Sequence, residues 1–303
     1  MVNQALEILT RITKAIPDAY IGIDRTNYII EKSQELSISE KDILIKLLNH
    51  ILTVMVDRGA SDIEIGGPGS GNYIWFRIQG IKERIKDLPN LKLDEATLLI
   101  AAFLNKNQHR HLMVNRNLDF SYSFRYAKEN ANVRFRADAY YDLDYLTLNM
   151  RAISSKLRTI QSYDFHPFAL QSMNHNYIKF GLSLVTGITG SGKSTTLDAI
   201  IDLHNQMVKC QIIVIASPIE YVHTSNQCII KHREIGRDVL SFKEGVTQAL
   251  RQDPDIIIIG EMRDPDTILA ALEVELTGIY STLFPLNDSS RNFWHCLNPI
   301  SFE

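Results

Sequence analysis

The chain has 303 residues, which suits about two domains, and its 45% hydrophobic and 22% charged content is that of a globular protein with ample core. A formal net charge of −3, with no Lys/Arg-dense stretch, argues against primary nucleic-acid binding. Cys210, Cys228 and Cys296 are far apart and lack metal-ligand spacing, so they read as cytosolic thiols and not as a disulfide framework. No apolar run approaches the roughly 18 residues needed to span a membrane.

In chain order, residues 3–15 have the pattern of an amphipathic helix, without a signal peptide's layout, and packing on the domain is the expected role. A polar, mixed stretch follows to residue 38. Residues 39–58 form the next helix, with Ser37 or Ser39 as the cap and a broad apolar face that includes Ile43, Leu47, Leu48, Ile51 and Leu52. Ser61 to Ile65 alternates as a strand, and Asn72 to Ile78 reads as another. The glycine-rich run 66–71 between them has no Lys-Ser/Thr after it, so it is read as a hairpin connection. Leu93 to Asn107 is a helix pattern, followed by strands near 118–125, 132–140 and 145–152. In the middle strand Val133, Phe135, Ala137 and Ala139 alternate with Arg134, Arg136 and Asp138, which gives one apolar and one charged face. Taken alone, the charged face reads as solvated surface. Residues 153–175, with Pro167, lack long periodicity and suit an interdomain connection. The first half is thus α+β.

The second half is organised around Gly181 to Asp202. An apolar strand (182–186) runs into Gly187, Ile188, Thr189, Gly190, Ser191, Gly192, Lys193 and Ser194, and a helix starts near Gly192. This is the G-x-x-x-x-G-K-[ST] phosphate loop. Glycines let successive backbone N–H groups turn toward a polyphosphate, and the helix start adds unpaired N–H groups and a positive dipole end. Lys193 would reach the β- and γ-phosphates, Ser194 would hold Mg²⁺, and Thr195 closes the nucleotide-binding run. Strands then alternate with helices: Gln211 to Ala216, a helix over 242–251, and Asp255 to Gly260 ending at Glu261. A helix capped by Asp264 or Asp266 follows. This argues an α/β, mostly parallel sheet with ligands at its carboxyl edge, where Ser194, Ser217 and Glu261 come together.

The segment Asp253 to Asp264, taken with Pro218 to His223 and Arg233 to Asp238, resembles the bacterial type II/IV secretion and pilus motor ATPases. The retraction motors of type IV pili and the type IVB secretion and conjugation ATPases look nearest. The resemblance covers about residues 39–290 and includes Ala60 to Ile65, Asp119 to Tyr122 and Arg134 to Arg136, with Glu64 in place of the family's usual histidine. It implies a RecA-like P-loop NTPase core behind an N-terminal PAS-like α+β domain. The expected layout is a helical extension (1–38), the PAS-like domain (39–155), a linker (156–175) and the ATPase domain (176–303). It also implies ATP and Mg²⁺ as ligands, Ser194 and Glu261 at the metal, and a homo-hexameric ring whose domain rotation drives pilus or secretion machinery. The partners would be inner-membrane platform proteins and the location cytoplasmic, peripheral to the membrane through those partners. Glu261, ending the Walker B strand, would act on the attacking water or on Mg²⁺. Arg134, Arg136 and Arg151 match positions that the family places near the ATP phosphates, where guanidinium groups would neutralise charge on the transferring phosphoryl group. Asp255 is expected to cap or pair, Arg263 to form an ion pair, and His223 to be a satisfied structural residue.

Three departures stand out. Ala216-Ser217 replaces the Glu-Asp that precedes Pro-Ile-Glu in the family, while Glu220 is kept. Ile279 and Phe284 stand where the family has histidines. The chain closes on RNFWHCLNPISFE without a helix pattern, as a truncated or frameshifted gene would. The expectation is ATP binding with slow hydrolysis, so a nucleotide-binding subunit or remnant stands beside the working motor as a second reading.

Overall fold

The computed structural model describes residues 1–153, 157–177, 179–188, 191–262, 264–276 and 280–283. The chain divides into two compact units, Met1–Ile153 and Ser154–Glu303.

The first unit opens with three helices, α1 (Val2–Lys14), α2 (Gly22–Glu35) and α3 (Ile38–Asp57). Strands β1 (Asp62–Gly66), β2 (Trp75–Ile78) and β3 (Ile81–Arg84) lead to α4 (Leu93–Ala102) and α5 (Lys106–Asn115). Three long strands close it: β4 (Asn117–Tyr126), β5 (Ala131–Asp142) and β6 (Tyr145–Ile153). The six strands form one antiparallel sheet in the order β3-β2-β1-β6-β5-β4. Alternation sets the buried face. Ile63 lies opposite Met150 and Met150 opposite Ala137, with Ile65, Leu148 and Ala139 as the next rung, and all six are buried.

Helices cover that face. Leu44, Leu47, Leu48, Ile51, Leu52 and Met55 of α3 recur every three or four residues and are fully buried. Ser37 caps α3 in a reciprocal box: its hydroxyl accepts from Glu40 N (3.2 Å), and Glu40 Oε2 accepts from Ser37 N (2.9 Å). Ala5 and Leu9 of α1 and Ile29 and Ile30 of α2 belong to the same hydrophobic cluster. The polar stretch before residue 38 therefore contains a helix, α2, which the sequence hides. Thr26 and Ser33 sit on its buried face beside Ile29 and Ile30, which blurs the apolar period. The 93–107 pattern also resolves differently. It breaks after α4, where Asn105 and Gln108 cap each other's backbone N–H at 2.9 Å and start α5. The glycine-rich run forms a short 3-10 turn, Pro68–Ser70, within the β1–β2 hairpin connection.

The second unit contains α6 (Pro167–Ser172), β7 (Gly181–Leu184), α7 (Lys193–Met207), β8 (Gln211–Ala216) and β9 (Ile229–Glu234). It continues with α8 (Phe242–Ala249), β10 (Ile256–Ile259), α9 (Pro265–Leu276) and β11 (Tyr280–Leu283). The five strands are parallel in the order β7-β11-β10-β8-β9. Both faces of this sheet are covered, which is why β10 is four consecutive isoleucines. Ile257 and Ile259 pack with Val246 of α8 and Ile268 of α9, while Ile256 and Ile258 pack with Leu197 and Ile201 of α7. Residues 160–173, which read in sequence as a connection, lie against α7. Ile160, Tyr163, Phe165, Leu170 and Met173 cluster with Ala199, Ile200 and Leu203.

Candidate functional site: a phosphate loop at the carboxyl edge of a parallel sheet

Strand β7 delivers Gly187 and Ile188, and Ser191 and Gly192 lead into α7, with Gly192 as its N-cap at φ 90°. Thr189 and Gly190 lie outside the described residues. The loop is tightly folded: a Cβ at Gly187 would come within 2.6 Å of Ser191 Oγ. Lys193 Nζ donates to the Ile188 carbonyl at 2.9 Å, so the loop closes around its own lysine. Lys193, Ser194 and Thr195 are the first three residues of α7, where backbone N–H groups have no partner within the helix. Thr195 Oγ1 donates to Gly192 O at 2.8 Å and is thus committed to the loop backbone, whereas the partly buried Ser194 keeps its side chain at the helix start.

Glu261 follows β10 through Gly260 and is half-buried. Strand β11 lies between β7 and β10, so the loop strand and the acid-bearing strand are two places, or about 10 Å, apart in the sheet. Gly260 fits a close approach. Its N–H donates to Ile215 O at 2.7 Å, and a Cβ there would meet Ala216 Cβ at 2.7 Å. The departure at Ala216-Ser217 thus lies next to the strand end that carries Glu261. A hydroxyl and a carboxylate are the hard oxygen donors that Mg²⁺ takes, so Ser194 and Glu261 suit such an ion.

The three arginines share one face of the first unit's sheet, opposite to Phe135, Ala137 and Ala139. Arg136 pairs in register with Arg151, and both have acidic partners: Arg136 approaches Asp119 at 3.7 Å, and Arg151 Nε donates to Asp62 Oδ1 at 2.8 Å. Burial pushes the Asp62 carboxyl upward. Hydrogen bonds from Ser61 and Arg151, with the charges of Arg151 and Arg77, outweigh this and hold it below the usual range. Arg134 is half-buried two residues from Arg136 on this face.

Among the accessory residues, Asp255 Oδ2 accepts from Gln211 N at 2.7 Å and ties the starts of β8 and β10 together, a pairing role. Asp264 caps α9 through Thr267 N at 2.8 Å. Arg263, Ile279 and Phe284 lie outside the described residues, as do Cys296 and the rest of the closing segment. Cys210 and Cys228 are distant in sequence, but the β8–β9 register makes them neighbours with sulfurs 3.3 Å apart. Burial pushes the Cys210 thiol well up, which suits an inert pair. Asp198 was not legible as a functional residue. It lies four residues beyond Ser194 on α7 and accepts a hydrogen bond from His223, 25 positions away, so only the fold shows the contact. No group of His, Cys, Asp and Glu among the described residues forms a ready metal cluster.

A parallel sheet covered on both faces, with a lysine-bearing glycine loop after one strand and an acid ending another two places away, defines a RecA-like P-loop NTPase core. The chain matches the family described as Type II/IV secretion system protein over residues 37–285, and it belongs to that family. It is 35% identical over 238 residues to the type IV pilus retraction ATPase PilT of Pseudomonas aeruginosa, covering 78% of this chain and 66% of that protein. A twitching motility protein of Neisseria gonorrhoeae is 37% identical over 211 residues, covering 69% of this chain and 54% of that one. The chain therefore spans less than two thirds of the length of these relatives. In structure it is similar to the pilus retraction motor PilT with bound ADP (TM-score 0.71, 32% identity, 84% of this chain and 70% of that one). It is also similar to the ATPase DotB of Legionella pneumophila (TM-score 0.70, 27% identity, 87% and 70%).

Proposed function

We propose that this chain binds Mg–ATP at the 187–195 loop and couples its hydrolysis to the work of a type IV pilus or type IV secretion machine. The carrying observation is the loop closed on Lys193 at the start of α7, two strands from Glu261 in the sheet order. Backbone N–H groups of the loop and the Lys193 ammonium would hold the phosphates, and Ser194 and Glu261 would hold Mg²⁺. Held by Ser194 and Glu261, Mg²⁺ would supply positive charge to offset that of the phosphates. Glu261 would also orient the attacking water. Arg134, Arg136 and Arg151 would stabilise the transferring phosphoryl group from a neighbouring copy in a homo-hexamer. Their pairs with Asp119 and Asp62 would open or be shared as the ring turns over. The fourfold layout of 1–38, 39–155, 156–175 and 176–303 belongs to this reading, as does a cytoplasmic ring docked on inner-membrane platform proteins. The family membership and the relatives' activities support it, and no helix among the described residues is long and apolar enough to cross a membrane.

A second reading, a nucleotide-binding subunit with slow turnover, is favoured by one observation. No carboxylate stands at Ala216 or Ser217, beside the strand end that carries Glu261. Losing a positioned acid–base group costs about 10²–10⁴ in rate.

The test is Mg–ATP binding and hydrolysis by the wild type, Lys193→Ala and Glu261→Gln. Lys193→Ala is expected to weaken binding by about tenfold to a hundredfold, as loss of charge-assisted hydrogen bonds would. Glu261→Gln is expected to keep binding and lose turnover. Wild-type turnover no faster than that of either variant, with Lys193-dependent binding, would establish the second reading. Binding that ignores Lys193 would refute both.

A further inference from the structure

Helix α7 starts at the phosphate loop, and one turn beyond Ser194 it carries a buried ionisable contact that the proposed chemistry does not use. Asp198 Oδ1 accepts from His223 Nε2 at 3.1 Å, and the His223 side chain is only 1% exposed. The histidine is held on three sides. Its ring stacks on His232 of β9 (centroids 5.9 Å apart, 6° between planes) and meets Tyr221 edge-on at 4.7 Å. Its own backbone N–H donates to His232 Nε2 at 3.1 Å, so that nitrogen of His232 is the unprotonated one. Burial raises the Asp198 carboxyl, and the His223 hydrogen bond works against that rise. A buried carboxylate is costly without a partner, so a pair here must fix the positions of both residues.

What His223 fixes is the far end of the segment 217–223. That segment leaves the carboxyl end of β8 at Ser217, is tied to β9 where Ile219 N donates to Glu234 Oε2 (3.3 Å), and carries the exposed Glu220. At its far end the Asp198–His223 bond ties it to α7, and one residue further on Asn205 Nδ2 of the same helix donates to the Thr224 carbonyl at 2.8 Å. We propose that Asp198 and His223 form a positioning clasp for nucleotide turnover, locking the 217–223 segment to the helix that leads out of the phosphate loop. Whatever the loop binds is thereby felt by the segment that borders the site, and Ser217 and Glu220 keep a fixed place relative to Lys193 and Ser194. The two are positioning residues: neither is argued to touch nucleotide. The proposal rests on the nucleotide-binding reading above.

The test uses the full chain with Asp198→Ala, Asp198→Asn, His223→Gln and His223→Ala, and Lys193→Ala as the control for nucleotide binding. Asn keeps an acceptor oxygen toward His223, and Gln keeps a donor nitrogen toward Asp198. Amide hydrogen exchange of residues 217–223 is followed with and without Mg–ADP, alongside kcat and KM for ATP. In the wild type Mg–ADP is expected to slow exchange of these amides by about tenfold, and Asp198→Ala to lose most of that effect while still binding Mg–ADP. Its kcat should fall by about tenfold or more with KM nearly unchanged, and Asp198→Asn and His223→Gln should restore both readouts. Should Asp198→Ala not fold, His223→Ala opens the clasp from the other side and carries the same expectation. Equal nucleotide protection in wild type and Ala variants would overturn the clasp, as would a change in KM alone or no rescue by Asn or Gln. Mg–ADP that binds neither wild type nor Lys193→Ala would instead remove the nucleotide reading, and the clasp with it.

Discussion

At the scale of single residues, Asp62 on β1 is the acceptor where two arginines converge. Arg151 Nε lies 2.8 Å from Oδ1, and Arg77 Nε lies 3.8 Å from Oδ2. The Asp62 carboxyl is held below its ordinary range, so its contribution to stability is present above the unfolded value of about 3.9 and is lost as pH falls through the folded value. Arg151 is largely exposed, so solvent screens the pair, and Arg151→Ala should cost under about 1 kcal/mol at neutral pH. Urea melts of the wild type and Arg151→Ala should therefore differ slightly at pH 7 and converge as the pH drops below about 4. A gap that widens in acid would show that Asp62 is not the group Arg151 serves. The sequence shows the period-two alternation that puts Arg134 and Arg136 on one face, though not the β5–β6 register that adds Arg151 to it. It could not give their acidic partners, since Asp62 and Arg151 are 89 positions apart and meet only through the β1–β6 register.

At the scale of elements, legibility followed the uniformity of the buried face. Strands β4, β5 and β6, the isoleucine run of β10 and the long apolar stripe of α3 all announce themselves. Helix α2 does not, because Thr26 and Ser33 are buried among its isoleucines and Ser33 Oγ turns back to Ile30 O at 2.6 Å. Strand β9 is similarly masked. Lys231, His232 and Arg233 give it a polar sequence, yet it holds an edge of the parallel sheet beside β8. The start of α3 is the reverse case, with Ser37 and Glu40 forming the box that three-residue spacing suggests. Ser37→Ala removes one half of that box and should lower stability by about 1 kcal/mol, while Ser39→Ala leaves the box intact and should cost less. Thermal melts of the two variants check this; equal shifts would place the cap elsewhere.

At the scale of the whole molecule, the largest hydrophobic cluster draws its buried members from Ala5 to Met150, entirely within the first unit. It joins α1 and α2 to the sheet through the same core as α3 and α4, so the apolar faces of the N-terminal helices pack into this unit's core. Within the second unit, residues 160–173 likewise share a cluster with α7. A core that is complete inside one unit, under an antiparallel sheet covered by helices on one face, is the condition for folding alone. The fragment Met1–Ile153 should accordingly unfold in a single cooperative urea transition, with the same midpoint by fluorescence and far-UV circular dichroism. Removing residues 1–36 from it should do more than shorten it. That deletion strips Leu9, Ile29 and Ile30 from buried positions and leaves the α3 and α4 surfaces they cover in water. At about 1.5–3 kcal/mol for each large aliphatic side chain, the loss is of the order of a typical domain's whole stability. The shortened fragment should therefore lose its cooperative transition. If it instead melts like Met1–Ile153, the N-terminal helices add little to the core, and their apolar faces must be explained by something other than this unit.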